Sequence, residues 1–173
     1  MNLPNKLTIA RVICVPIFAV LYYLDLNIWA FIVFVLASIT DMLDGKIARK
    51  YNMITNFGKI MDPLADKVLV YAAFCIFVEK GIMPGWMLII ILAREFAVSG
   101  MRTVAASEGK VVAAGMTGKI KTVLQMFAVL FLLLAPYHHV LDLIGRILMW
   151  AALVMTVISG AEYIIKNKEV FSM

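Results

Sequence analysis

The sequence predicts an all-α integral membrane protein, with six transmembrane helices and a short N-terminal interfacial segment, from its hydropathy, charge and length. Hydrophobic residues make up 64% of the 173 residues, and the mean hydropathy is +0.96. Charged residues make up 16% of the chain, whereas soluble domains contain about 25%. Because one span needs about 20 apolar residues, six spans fill the chain, and we expect residues 1–173 to form a single membrane domain.

The expected helices are apolar runs separated by turn residues. Residues 1–6 are polar, and Pro4 suits the first turn of an interfacial helix. They lack the basic start and small-residue cleavage site of a signal peptide, so we expect the first apolar run to be retained as a helix. The first span is predicted near residues 7–24, and the second begins near residue 28 and is followed by a polar loop at 50–57. The other four are predicted near residues 58–77, 86–106, 112–134 and 140–165.

The distribution of basic residues predicts how these spans are oriented. Most Lys and Arg residues fall on one side of a six-span arrangement, while Lys80 and Arg146 fall on the other. By the positive-inside rule, both termini and residues 41–66 face the cytoplasm. The formal net charge of +5 suits anionic lipid headgroups, and nucleic acid is not expected because no aromatic-rich basic patch is present. His138 and His139 fall on the outer side, and no role is predicted for them.

Residues 41–66 place carboxylates next to apolar runs, where they are costly and mark functional sites by default. Four of the eleven acidic residues fall here: Asp41, Asp44, Asp62 and Asp66. The spacings i, i+3 and i, i+4 put each pair on one face of a helix, so two helix ends can direct four carboxylates to one point. Hard divalent cations need such an oxygen donor set, and two Mg²⁺ or Mn²⁺ ions would offset the repulsion between the carboxylates.

Neighbouring residues indicate what a metal pair would act on. Two metals about 3.5–4 Å apart stabilise the attacking and leaving oxygens during displacement at phosphorus. Gly45, Ala48 and Gly58 leave room for a ligand beside the carboxylates. Arg49 offers a planar fork of donors for phosphate oxygens. A single Asp at a helix end is usually a cap or a solvated terminus, but this combination of residues favours a nucleoside diphosphate site.

The same run is similar to the signature of the CDP-alcohol phosphotransferase family. The sequence Asp41-x2-Asp44-Gly45-x2-Ala48-Arg49-x8-Gly58-x3-Asp62-x3-Asp66 matches that signature at every fixed position. A pattern of eight positions with fixed gaps is highly specific. Similarity to the bacterial phosphatidylglycerolphosphate synthase branch extends to Asn2-Leu-Pro-Asn5-Lys-Leu-Thr8-x2-Arg11, Arg94-Glu95-Phe96 and Gly118-Lys119-Ile-Lys121-Thr122.

This resemblance implies a six-helix enzyme of the bacterial cytoplasmic membrane, usually a homodimer, that joins CDP-diacylglycerol to sn-glycerol 3-phosphate and releases CMP. It implies that two divalent cations are held by Asp41, Asp44, Asp62 and Asp66. It also implies that Asp66 is the base for the acceptor hydroxyl. The residues that would line the CDP-diacylglycerol pocket are Gly45, Ala48, Arg49 and Gly58.

Glycerol phosphate is a small dianion and needs a cationic pocket of its own. The candidates are Arg94, Arg102, Lys119 and Lys121. Arg94 is the strongest because it lies well inside an apolar run. Its alternative role is a buried ion pair, but adjacent helical residues do not face each other, so we do not expect Glu95 to neutralise it directly. Lys119 and Lys121 fit topological anchoring equally well.

Two other functions fit parts of the pattern. A different acceptor, such as serine, inositol phosphate or phosphatidylglycerol, would keep the same reaction, although serine has no phosphate for the four basic residues to bind. A divalent-cation transporter would use the carboxylates as an ion site. Transporters place such sites near the membrane midplane between repeated halves, whereas this sequence has no visible repeat. Arg49 would also repel a cation in its pathway.

Overall fold

In the computed structural model, the described backbone covers residues 3–50, 56–107 and 115–166, and the described side chains cover residues 9–40, 67–106 and 115–166. Over these residues the chain forms six α-helices and one 3-10 helix and no strand, so the predicted all-α class is confirmed. The α-helices are α1 Leu3–Tyr23, α2 Asn27–Lys50, α3 Asn56–Glu79, α4 Gly85–Ser107, α5 Met116–Leu133 and α6 His139–Lys166, and the 3-10 helix is Ala135–Tyr137.

The turns between α1 and α2 and between α3 and α4 lie close to the predicted positions. Between α1 and α2, Asp25 has a φ of 58°, in the left-handed region that Asp adopts more readily than most residues. Between α3 and α4, Gly81 has a φ of 69°, which glycine adopts without a steric penalty. Helix α1 begins at Leu3, so the polar start of the chain continues directly into the helix, with Pro4 in its first turn.

Aromatic side chains of α1, α2 and α3 form one part of the core. The ring centroids of Phe18 and Phe34 lie 5.9 Å apart and join α1 to α2. Those of Tyr22 and Phe77 lie 6.1 Å apart and join α1 to α3. Because lipid is as apolar as these rings, close packing rather than removal from water is what favours such contacts between membrane helices.

Helices α5 and α6 pack closely around a glycine. A Cβ atom at Gly145 would lie 2.7 Å from Leu132 Cγ and 3.1 Å from the Leu132 backbone nitrogen. Small residues allow such close approach of helix backbones. At the start of α6, His138 Nδ1 accepts a hydrogen bond from the Val140 N–H at 3.1 Å. His138 therefore acts as an N-cap, a role that the sequence did not predict.

The outward-facing side chains of the bundle are largely apolar. Exposed large residues include Trp29, Ile89 and Phe96, and Phe96 has 69% of its surface exposed. Extended apolar exposure marks a membrane or protein interface. Among the described residues, α5 and α6 are long and apolar enough to cross a membrane, by length and composition. The fold is consistent with an α-helical membrane protein, and the number of spans stays a prediction.

Candidate active site

Helices α2 and α3 carry the acidic residues of the signature. Asp41 and Asp44 lie in the last part of α2, and Asp62 and Asp66 lie in the first part of α3. The prediction that each pair of carboxylates shares one helix face requires a helical backbone in both stretches, and both are helical. The side-chain positions of the predicted metal and CDP-diacylglycerol residues lie outside the described part: Asp41, Asp44, Gly45, Ala48, Arg49, Gly58, Asp62 and Asp66. Among the described side chains, no group of three His, Cys, Asp or Glu could hold a metal ion.

Glu95 of α4 is a buried carboxylate surrounded by cations. The residue is 8% exposed, and its Oε1 lies 2.8 Å from Lys67 Nζ of α3. Its Oε2 lies 3.3 Å from Arg94 Nη1 and is also paired with Lys121 Nζ of α5. A charged group is rarely buried unless it is paired, and here one carboxylate links three helices through its ion pairs. We call Lys67, Arg94, Glu95 and Lys121 the Glu95 group.

The ion pair between Arg94 and Glu95 shows that the sequence-based expectation for these two residues was wrong. Adjacent residues diverge by about 100° around a helix, yet Arg94 Nη1 lies 3.3 Å from Glu95 Oε2. The arginine side chain is long enough to curve back, and both residues are shielded from the surface. The rule that adjacent helical residues point apart concerns the directions of their Cβ atoms and does not consider the length of the arginine side chain. The ion pair partly neutralises Arg94.

Two glycines leave the space that Arg94 occupies. A Cβ atom at Gly118 of α5 would lie 3.4 Å from Arg94 Nη2, and one at Gly160 of α6 would lie 3.0 Å from Arg94 Cγ. The arginine side chain therefore extends from α4 against both of the following helices. Arg94 Nε is buried and has no hydrogen-bond partner in the described part of the chain. Gly118 is part of the sequence resemblance, whereas nothing in the sequence pattern singled out Gly160.

Lys67 is a member of the Glu95 group that no pattern in the sequence singled out. It follows Asp66 directly in α3, and besides its pair with Glu95 its Nζ lies 3.2 Å from Ser99 Oγ of α4. Its position next to the last signature carboxylate was the one available indication. Lys67 is 31% exposed at its side chain, while Lys121 is 3% exposed. The burial of Lys121 argues against the alternative role of a headgroup anchor.

A cleft of about 40 Å³ adjoins the Glu95 group. Its lining includes Lys67, Glu95, Lys121 and the buried side chain of Gln125, one helical turn beyond Lys121. Gln125 Nε2 has no hydrogen-bond partner among the described residues. A cavity needs a volume of about 10–15 Å³ to hold one water molecule, so the cleft has room for ordered water or a small polar group. The orphaned amide supplies a further donor there.

The other two predicted acceptor residues lie apart from Glu95. Arg102 is exposed, and its guanidinium lies over the Tyr163 ring, with Cζ 5.5 Å from the ring centroid. Lys119 is exposed near the start of α5. In the described part of the chain, neither pairs with Glu95. The structure thus brings Arg94 and Lys121 together and leaves Arg102 and Lys119 outside their group.

These features are consistent with one class of protein: an α-helical membrane protein with an apolar exterior and a positively charged group in its interior. Three cations and one carboxylate give the Glu95 group a formal charge of +2. Charge interactions are stronger in such a poorly solvated place than in water, so the group is suited to an anion.

The chain belongs to the CDP-alcohol phosphatidyltransferase family, whose model matches residues 1–158. A Bacillus subtilis (strain 168) protein named CDP-diacylglycerol–glycerol-3-phosphate 3-phosphatidyltransferase is 46% identical, over 97% of this chain and 96% of its own length. A protein of the same name from Rickettsia typhi is 43% identical, over 94% of this chain and 94% of its own length. Another from Haemophilus influenzae is 38% identical, over 94% of this chain and 91% of its own length. The resemblance drawn from the sequence is confirmed.

Proposed function

We propose that this chain transfers the phosphatidyl group from CDP-diacylglycerol to sn-glycerol 3-phosphate, forming phosphatidylglycerol phosphate and CMP in phospholipid biosynthesis. Its family membership and the names of its relatives support this reaction. The structural observation that carries the choice of acceptor is the Glu95 group, because a buried surplus of positive charge suits a phosphate dianion. Serine is a zwitterion with no net charge at neutral pH, so it would leave this surplus unbalanced. The choice of sn-glycerol 3-phosphate over inositol phosphate is supported by the names of the relatives.

The metal site of this proposal consists of Asp41, Asp44, Asp62 and Asp66. Their carboxylate oxygens suit Mg²⁺ or Mn²⁺, and both stretches that carry them are helical, as the spacing requires. When bound, two such ions would supply Lewis-acid stabilisation of the diphosphate and of the departing CMP. The residues proposed to line the CDP-diacylglycerol pocket beside them are Gly45, Ala48, Arg49 and Gly58.

In the proposed reaction, the acceptor hydroxyl attacks the β-phosphorus of CDP-diacylglycerol. Asp66 takes the hydroxyl proton, a new oxygen–phosphorus bond forms, and the bond from the β-phosphorus to the CMP oxygen breaks. Arg94 and Lys121 hold the acceptor phosphate, and they orient the hydroxyl toward the phosphorus. Arg102 and Lys119 belong to the outer part of the same pocket in this proposal.

The proposed setting is the bacterial cytoplasmic membrane. Six spans in one domain would leave the acyl chains of the substrate in the bilayer, and the apolar exterior of the helices supports this placement. The bias of basic residues supports a site that opens to the cytoplasm. A homodimer is proposed from the family resemblance.

Measuring CMP release from CDP-diacylglycerol with each acceptor in turn tests the proposal. Purified protein in mixed micelles is given sn-glycerol 3-phosphate, serine, inositol phosphate or phosphatidylglycerol. We expect release with sn-glycerol 3-phosphate, abolition by EDTA and restoration by Mg²⁺ or Mn²⁺. Serine-dependent release without glycerol-phosphate-dependent release would overturn the choice of acceptor. Metal uptake into proteoliposomes with no CMP formation would instead support a transporter.

A further inference from the structure

Glu95 joins charged side chains from three helices. Lys67 comes from α3, Arg94 from the preceding position in α4, and Lys121 from α5. Both carboxylate oxygens are engaged, Oε1 by Lys67 at 2.8 Å and Oε2 by Lys121 and by Arg94 at 3.3 Å. Because one carboxylate neutralises one cation, the group keeps a surplus of positive charge.

We propose that Glu95 is a positioning residue that holds Lys67, Arg94 and Lys121 as one phosphate-binding group. This adds Lys67 to the acceptor pocket. The inference rests on the proposed function, because the acceptor phosphate is the dianion that the group would bind.

The formal charge of the group matches such a ligand. Three cations and one carboxylate leave +2, and a phosphate monoester carries about −1.5 to −2 at neutral pH. With Glu95 present, the bound phosphate would offset the surplus nearly completely. Without Glu95, three cations would repel one another at close range, and a single phosphate would not balance them.

Glu95 also fixes the geometry of long, flexible side chains. Lysine and arginine lose much rotamer freedom when they are held in one place. A pocket whose side chains are ordered before the ligand arrives loses less binding free energy to ordering them. Glu95 is buried, so water does not readily compete for its oxygens. A positioned set of cations therefore binds phosphate more tightly than the same cations left mobile.

Lys67 is the member best placed to meet an incoming ligand. Its side chain is the most exposed of the three cations, at 31%. An ammonium group has three donors, and Glu95 and Ser99 engage two of those on Lys67. Since Lys67 directly follows Asp66, it connects the acceptor pocket to the helix that carries the proposed base.

Glu95→Gln tests this inference, because it keeps the side-chain shape and removes the charge. A positioning role predicts that KM for sn-glycerol 3-phosphate rises by about ten- to hundredfold, the effect of losing a hydrogen bond to a charged group. The value of kcat at saturating acceptor and KM for CDP-diacylglycerol should change much less. If Glu95 merely reduced the positive charge, the variant would attract the dianion more strongly, and KM would fall. A lower or unchanged acceptor KM would overturn the proposal.

Conservative and control variants separate positioning from general effects on the fold. Glu95→Asp keeps the charge but shortens the side chain, so a positioning role predicts a raised acceptor KM here too. Glu162→Gln is the matched control, since Glu162, like Glu95, is a helical glutamate that pairs with a lysine, Lys166 at 2.5 Å. Its other carboxylate oxygen accepts a hydrogen bond from the Thr117 hydroxyl at 2.6 Å. We expect parental kinetics from it.

Lys67→Met provides a second test if the Glu95 variants do not fold. Lys67 is partly exposed, so its loss should be tolerated, and we expect a rise in acceptor KM of about tenfold or more. An unchanged KM would remove Lys67 from the pocket and overturn the proposal. Failure of the proposed function has a different outcome: the parent protein itself would release no CMP in response to sn-glycerol 3-phosphate.

Discussion

Gly160 of α6 lies directly against Arg94 of α4, so that a Cβ atom at position 160 would be 3.0 Å from Arg94 Cγ. A residue with no functional group thus sets the path of the arginine through the interior. The consequence is that α6, which contributes no member of the Glu95 group, still determines where one of its cations lies.

Gly160→Ala should weaken acceptor binding. The added methyl group would push Arg94 from its position, and we expect KM for sn-glycerol 3-phosphate to rise by about three- to tenfold, with a smaller change in kcat. Steady-state kinetics at saturating CDP-diacylglycerol measures both. Alanine is favoured over glycine within a helix by about 1 kcal/mol, so a loss of function would come from the contact rather than from helix propensity.

Gly100→Ala is the control for this prediction. It lies in α4, and a Cβ atom there would meet no described atom within 4 Å apart from its chain neighbours and its own helical backbone. We expect parental kinetics from Gly100→Ala. If Gly160→Ala also had parental kinetics, the position of Arg94 would not depend on α6.

Asp66→Asn should abolish turnover without unfolding the protein. It removes the proposed base together with a proposed metal ligand, and loss of general base catalysis alone costs about 10²–10⁴ in rate. CMP release measures turnover, and thermal unfolding in detergent checks the fold. Asp142→Asn is the control, because Asp142 pairs with Arg146 at 2.9 Å in an exposed i, i+4 contact, and such pairs contribute about 0–1 kcal/mol. Turnover of Asp66→Asn near the parental level would exclude Asp66 from the mechanism.

The helices could be predicted from the sequence because local features determine them. Each apolar run is long, and the turns lie at residues such as Asp25 and Gly81 that adopt left-handed backbone conformations. The family could be predicted as well, because the signature lies in two short stretches whose spacing is visible in the chain. Both results depend on residues that are near one another in sequence.

The Glu95 group could not be predicted in the same way. Lys67 and Lys121 reach Glu95 from other helices, and no periodicity in the sequence encodes which helices are neighbours. The contact between Arg94 and Glu95 was wrongly excluded by a rule that considers the directions of adjacent side chains and not their length. Likewise, the space that Gly160 leaves for Arg94 depends on packing between α4 and α6.

Arg94→Ala and Arg102→Ala should affect the acceptor differently. Arg94 lies in the Glu95 group, so its removal should raise KM for sn-glycerol 3-phosphate by about tenfold or more. Arg102 is exposed over the Tyr163 ring, and we expect a smaller rise when it is removed. Acceptor titrations of both variants measure the difference. Equal effects would place Arg102 in the binding group, and an unchanged KM for Arg94→Ala would give Arg94 a structural role.

Gly145→Ala should destabilise the packing of α5 against α6. The new Cβ atom would lie 2.7 Å from Leu132 Cγ, 2.8 Å from Leu132 Cδ2 and 3.1 Å from the Leu132 backbone nitrogen. The side chain can shift, but the backbone nitrogen moves only with the helix, so we expect a loss of about 1–3 kcal/mol, as for other overpacked sites. Thermal unfolding in detergent, followed by tryptophan fluorescence, measures this loss as a lower Tm.

Two further variants identify the cause of that loss. Gly85→Ala is the control, since its Cβ atom would make an ordinary contact of 3.6 Å with Val78 Cγ1. In the double variant Gly145→Ala with Leu132→Ala, part of the clash is removed. The stability losses of the two single variants should therefore sum to more than the loss of the double variant. Strict additivity would show that residues 132 and 145 are not in contact. A Gly145→Ala protein with the parental Tm would show that α5 and α6 can separate at this point without cost.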